Sequence, residues 1–206
     1  MDSGVIQKAL HYIQPLFEKD ATGHDLDHMK RVARWSRELA LREGADPTLA
    51  ELAGLLHDVD DAKLSQNPDA SRRERREKLL EWGLSDAQVE EIEQAIETVS
   101  FRKGKVPAST LGKVLQDADR LDAMGAVGIA RTFAFGGAKG QMIHSDDPGA
   151  GTSVQHFHDK LLHLLHLMNT DSGRQEAEHR HETMTAFLNE FNREYYALGG
   201  KSDESK

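Results

Sequence analysis

The 206-residue chain contains no cysteine, which excludes a disulfide framework and any thiolate ligand for a metal, and is compatible with a reducing compartment. It also lacks an apolar run near the roughly 20 residues of a membrane span. Residues 1–19 carry Asp2, Lys8, His11 and Glu18 in an amphipathic pattern, so neither a signal peptide nor a membrane segment is expected there. Positive charge is in deficit: 26 Lys and Arg against 35 Asp and Glu leave a formal net charge of −9. Affinity for long DNA or RNA is built largely from cations that neutralise phosphates, so such a partner is not expected. The reading is a cytoplasmic protein with no membrane partner, whose exposed apolar positions would permit a homodimer.

Strand-like alternation is missing too, as are internal repeats and a convincing linker. What the chain has instead is apolar residues at helical spacing almost throughout. Ile6, Leu10, Ile13 and Phe17 form one series, Met29, Val32, Ala33 and Leu39 a second, Leu49 to Leu56 a third, and Val89, Ile92, Ile96 and Val99 a later one. A further series runs from Leu111 through Leu121 and Val127 to Phe133; one more joins Val154 to Met168, and a last one joins Ala177 to Phe191. Asp46 before Pro47 reads as a helix start, Ser71 with Glu74 and Ser85 with Gln88 as capping boxes, and Gly44 and Gly83 as helix ends. The expected fold class is all-α, in one domain over 1–198. Residues 136–151, rich in Gly and Asp, are expected to form a loop that acts as a lid, and 199–206 a disordered tail.

Histidine and aspartate stand out against this apolar background. The third series ends in His57 and Asp58, followed by Val59, Asp60 and Asp61; polar groups that close an apolar helix must be satisfied by something. His24 and His28 are four residues apart, so on a helix they share a face and either could meet His57. Asp25 and Asp27 beside them could orient an imidazole from behind. Far downstream, Asp117, Asp119 and Asp122 crowd one helix. A lone histidine on an amphipathic helix is more often surface or satisfied core than ligand. Several of them with carboxylates from separate helices form the donor set of a divalent ion such as Mn²⁺, Fe²⁺ or Zn²⁺ in the core of a bundle.

These residues also carry a resemblance. His28, the His57-Asp58 pair and Asp119 are similar to the ligand pattern of the HD-domain metal-dependent phosphohydrolases. The segments GHDLDHMKRV, LAGLLHDVDDAK, VLQDADRLDAMGAVGIARTFAFGG and QHFHDKLLHLLHLMNT resemble the stand-alone bacterial, YedJ/YpgQ-like branch of that family. The resemblance spans roughly residues 20–192. It implies an HD-type helical bundle with additional C-terminal helices and one bound divalent ion, Mn²⁺ first, with Fe²⁺, Mg²⁺, Zn²⁺, Co²⁺ or Ni²⁺ as alternatives. It further implies hydrolysis of nucleoside triphosphates to monophosphates and pyrophosphate. The HHE and GYP signatures of the cyclic-dinucleotide phosphodiesterase branch are absent. Asp61 lies where the branch related to stringent-response enzymes keeps an acidic residue, whereas the second acid of that pair is Ala62 here.

On this basis His28, His57, Asp58 and Asp119 are expected to hold the ion, Asp119 being chosen over Asp117 by register with the family's ADRL segment. Asp61 is expected to orient or deprotonate the attacking water. His24, Asp122, Arg131 and Lys160 are expected at the nucleotide substrate, Asp122 alternatively behind a ligand. Arg72, Arg73, Arg75, Arg76 and Lys78 alternate with Glu74, Glu77 and Glu81 in the spacing of a solvated helix face. His156, His158, His163 and His166 do not share one face, so at most one is expected near the ion; Phe133, Phe135 and Phe157 read as core. Two other functions stay open: a 5′-nucleotidase acting on monophosphates, and a non-catalytic module that senses nucleotide or metal.

Overall fold

The chain is described by a computed structural model over residues 2–17, 25–61, 65–99, 106–147 and 149–197. Within them it is all helical, with no strand. The order is α1 (Asp2–Phe17), α2 (Leu26–Glu43), α3 (Pro47–Leu56), α4 (Pro68–Glu81), α5 (Asp86–Val99), α6 (Thr110–Asp122), α7 (Gly125–Ala138), α8 (Ser153–Asp159), a 3-10 helix (Leu161–Leu167) and α9 (Asp171–Tyr196). No helix among the described residues is long and apolar enough to cross a membrane. The tail and His24 lie outside the described residues.

Capping chemistry sets most of the boundaries. Asp46 accepts from the amides of Thr48 and Leu49 ahead of Pro47, and Gly44 ends α2 at φ +77°. Ser85 and Gln88 exchange hydrogen bonds as a capping box before α5. Ser71 and Glu74 do not: Asn67 caps α4, Pro68 starts it, and the Ser71 hydroxyl bonds Ser65 instead. The series from Leu111 to Phe133 is two helices, because Gly125 adopts φ +68° and turns the chain between α6 and α7. The series from Val154 to Met168 also divides, at Lys160, into α8 and the 3-10 helix. The expected loop starts later than 136, since Gly136, Gly137 and Ala138 continue α7. It is tied down by Ser153 and Val154 amides donating to the Met142 and Ile143 carbonyls, and by the Tyr196 hydroxyl donating to Asp146.

The core centres on α2, α3 and α6, where Val32, Leu52, Leu55, Val114, Leu115 and Ala118 are buried. Burial of each large aliphatic side chain contributes about 1.5–3 kcal/mol. One glycine decides how close α2 and α3 come. A Cβ on Gly54 would sit 2.5 Å from the Ala33 Cα, so only a residue without a side chain lets the two backbones meet. That approach brings the end of α3 beside the first turns of α2, and the rings of His28 and His57 to 5.3 Å between centroids.

Candidate metal centre

Three helices deliver the donors. Asp25 caps α2 by accepting from the His28 amide at 2.7 Å, which fixes His28 in the first helical turn. His57 is the C-cap of α3, and Asp58 follows in a tight turn closed by bonds from the Val59 amide to the Leu56 carbonyl and from the Asp61 amide to the Asp58 carbonyl. Asp119 projects from the last turn of α6. His28 Nε2 lies 3.7 Å from Asp58 Oδ2 and 3.7 Å from Asp119 Oδ1; His57 Nε2 lies 3.5 Å from Asp58 Oδ1 and 3.8 Å from the same Asp119 oxygen.

These separations are too long for hydrogen bonds. An ion about 2.0–2.2 Å from each donor would hold them roughly 3–4 Å apart. The remaining ring nitrogens explain which atoms point inward. His28 Nδ1 is 2.7 Å from Asp122 Oδ2, and His57 Nδ1 is 2.9 Å from the Gly54 carbonyl. Each Nδ1 therefore carries the proton it donates, and each Nε2 is the ring nitrogen turned to the cluster. His57 Nε2 is buried and has no hydrogen-bond partner among the described residues. Such an atom is costly unless something binds it, and two imidazoles with carboxylates suit a divalent ion. His28, His57 and Asp119 are the group of three among the described residues whose donor atoms could hold an ion. Asp119 is about 32% exposed, so the site opens to solvent on that side.

Behind His28 sits a charged layer made by Arg31 together with Asp122 and Arg131, two of the residues expected at the substrate. Asp122, 1% exposed, accepts from His28, from Arg31 Nε at 2.6 Å and Nη2 at 3.1 Å, and from Arg131 Nη1 at 2.6 Å. Arg131 also donates to the Asp122 carbonyl at 3.2 Å. Asp122 and Arg131 thus meet each other and back His28, the alternative position considered for Asp122. Burial pushes the Asp122 carboxyl up, but His28 and the two arginines outweigh it and hold the group well below the usual carboxylate range. Burial also lowers His28, against which Asp122 and the nearby Asp58 and Asp119 prevail over Arg131, raising its pKa to about 9.

Asp117 is fully buried and accepts from the amides of Asn169 and Thr170, the Asn169 side chain and the Thr170 hydroxyl, pinning the start of α9 to α6. Asp61 is half-buried at the end of the ligand-bearing turn. Lys160 is half-buried at the C-cap of α8. Asp27 is exposed and pairs with Lys30, and Asp25 holds the His28 amide, while the His28 Nδ1 bonds Asp122. His156, His158, His163 and His166 are exposed and make no second group of donors among the described residues. Phe133 and Phe157 pack with Phe187, while Phe135 is 44% exposed. Arg75 departs from the solvated-face reading: it is 1% exposed and paired with Asp60 and Glu93. Arg31 is not among the residues expected at the site, although its place one turn after His28 is a usable signal.

The fold and this constellation define an HD domain, whose family profile matches residues 25–124; the chain belongs to that family. It is 39% identical over 187 residues to the uncharacterized protein YpgQ of Bacillus subtilis strain 168, covering 89% of this chain and 90% of that protein. The crystal structure of B. subtilis YpgQ in complex with ADP superposes with a TM-score of 0.81 at 36% identity, over 95% of this chain and 98% of that one. An HD-superfamily hydrolase from Bacillus thuringiensis gives a TM-score of 0.81 at 38% identity, over 96% of this chain and 100% of the other.

Proposed function

We propose that the protein is a metal-dependent phosphohydrolase acting on nucleotides, and that it converts a nucleoside triphosphate to the monophosphate and pyrophosphate. The observation that carries the metal site is the locking of both Nδ1 atoms, which turns two Nε2 atoms to one Asp119 oxygen, with the Asp58 carboxylate 3.5–3.7 Å from them. A hydrolase is supported by family membership and by the B. thuringiensis relative, a nucleotide by the ADP bound to B. subtilis YpgQ. Mn²⁺ is the ion we assign.

His28, His57, Asp58 and Asp119 would hold the ion, with two carboxylates balancing its charge. A divalent ion there supplies Lewis acidity, polarising a phosphoryl oxygen and acidifying a water molecule. Asp61, two residues beyond the Asp58-Val59 turn, accepts the proton of the attacking water. Water adds to the α-phosphorus, the bond to the bridging oxygen breaks, and pyrophosphate leaves. Asp122, with Arg31 and Arg131, keeps His28 in the tautomer the site requires. His24 and Lys160 stay assigned to the substrate.

Phosphorus NMR of chelated and Mn²⁺-reloaded protein with a mixed pool of nucleoside mono-, di- and triphosphates tests this directly. Pyrophosphate formed only with metal, and lost in Asp119→Asn, is the expected result. Orthophosphate released from monophosphates would select the 5′-nucleotidase, and intact ion binding without any product would select a sensor. Asp61→Asn should keep the ion while turnover falls by about 10²-fold or more. Unchanged turnover would remove Asp61 from the chemistry.

A further inference from the structure

The turn that carries His57, Asp58 and Asp61 is gripped from α4 by a side chain that the reaction above does not use. Arg75 is 1% exposed, and its three donor edges reach three places. Nε and Nη2 form a two-pronged pair with Glu93 of α5, both at 2.8 Å. Nη1 donates to Asp60 Oδ1 at 2.5 Å and, at 3.4 Å, to the Leu56 carbonyl. Leu56 immediately precedes His57, and Asp60 follows Asp58 by two residues. One guanidinium therefore holds both ends of the ligand-bearing turn and ties them to α5. At the exposed edge Arg72 adds a second contact, from Nε to Asp60 Oδ2 at 3.2 Å.

Burying a guanidinium between two carboxylates is a weak way to gain stability, because removing those charges from water offsets most of their attraction. Apolar side chains of similar volume would pack α4 against α5 at least as well. What an apolar residue cannot do is fix a carbonyl and a carboxylate on either side of a tight turn. Lysine cannot do it either, since its ammonium is a point charge without the planar fork that spans Glu93 and Asp60 together.

We propose that Arg75 is a positioning residue for the metal centre, fixing the backbone of turn 56–61 so that His57 Nε2 and the Asp58 carboxylate converge on one ion. This rests on the metal-site reading above. Partners that orient metal ligands from behind typically change affinity by about 10–100-fold when removed.

The test is Mn²⁺ titration of the whole, metal-stripped protein, followed by the electron paramagnetic resonance signal of the free ion, well below each variant's Tm. Arg75→Lys should weaken Mn²⁺ binding by about 10–100-fold, and Glu93→Gln should weaken it in the same direction by a smaller factor. Met184→Ala, in the core of α9, should lower the Tm while leaving the affinity unchanged, which separates positioning from general destabilisation. Arg75→Lys and Glu93→Gln both binding Mn²⁺ within about twofold of wild type would overturn the proposal while leaving the metal site intact. If Arg75→Lys does not fold, Glu93→Gln decides by the same criterion. Wild type that binds no Mn²⁺, or His57→Ala that binds it as wild type does, would instead overturn the metal site and the proposal with it.

Discussion

Two faces of α6 carry the same residue type to different ends. Asp117 points at the start of α9, where two amides, a carboxamide and a hydroxyl bond it; the Arg120 guanidinium stands 4.0 Å away, and the carboxylate is sealed from solvent. Asp122, five residues on, is equally buried but faces α2, where its partners are one imidazole and two guanidiniums. Between them Asp119 keeps about a third of its side chain in solvent and sits 3.7–3.8 Å from two imidazole nitrogens without bonding to either. Identity of the side chain does not set its role; the donors around it do. Asp117, bonded by neutral donors with the Arg120 guanidinium at 4.0 Å, is a strut; Asp122, bonded by charged donors, is an electrostatic backing; Asp119, bonded to neither imidazole, is left for the proposed ion.

The comparison is most easily broken at the ligands. His57→Ala removes the buried Nε2 atom, and elemental analysis of the purified variant should find the ion lost; full retention would dissolve the site as drawn. Asp122→Asn tests the backing. Its expected effect is a 10–100-fold weaker affinity for the ion with stoichiometry unchanged, read by calorimetric titration, because the His28 tautomer and orientation are no longer enforced. An affinity equal to wild type would make Asp122 a second strut like Asp117.

The smallest expected effect is on pH dependence. In the metal-free protein His28 titrates at about 9 against 6.5 for the ordinary imidazole, so its proton stabilises the fold. That contribution is complete below about pH 6.5 and is lost as pH rises through about 9. The ion takes the place of the proton, so thermal melts of chelated protein should lose Tm across this window relative to loaded protein. Parallel curves for the two forms would contradict it.

How far the sequence reveals this depends on the range of the interaction. Helix class, the Asp46 and Ser85 caps, the Gly44 end and the set of histidines and aspartates follow from local spacing, and the structure groups His28, His57 and Asp119. Register with the family's ADRL segment separated Asp119 from Asp117; periodicity alone could not, because both aspartates are helical and their partners lie about 50 residues downstream or more than 60 upstream. The breaks at Gly125 and Lys160 leave no mark in the apolar spacing, which continues across them. Asp122 and Arg131 are expected at the substrate, Asp122 alternatively behind a ligand; their pairing with each other and with His28, across 9 and 94 residues, is visible only in the fold. Arg75 was hidden by its neighbours, since four basic residues around it are spaced as a surface is.

The account stands most directly on the division of α6. Mn²⁺ titration of Asp117→Asn and Asp119→Asn side by side, with a thermal melt of each, measures it. Asp117→Asn should bind one ion with wild-type affinity and lose about 3 kcal/mol of stability, roughly 6–12 °C in Tm. Asp119→Asn should keep its Tm without metal and lose the ion. An Asp119→Asn variant that binds as wild type does, or an Asp117→Asn variant that loses the ion while remaining folded, would contradict the assignment.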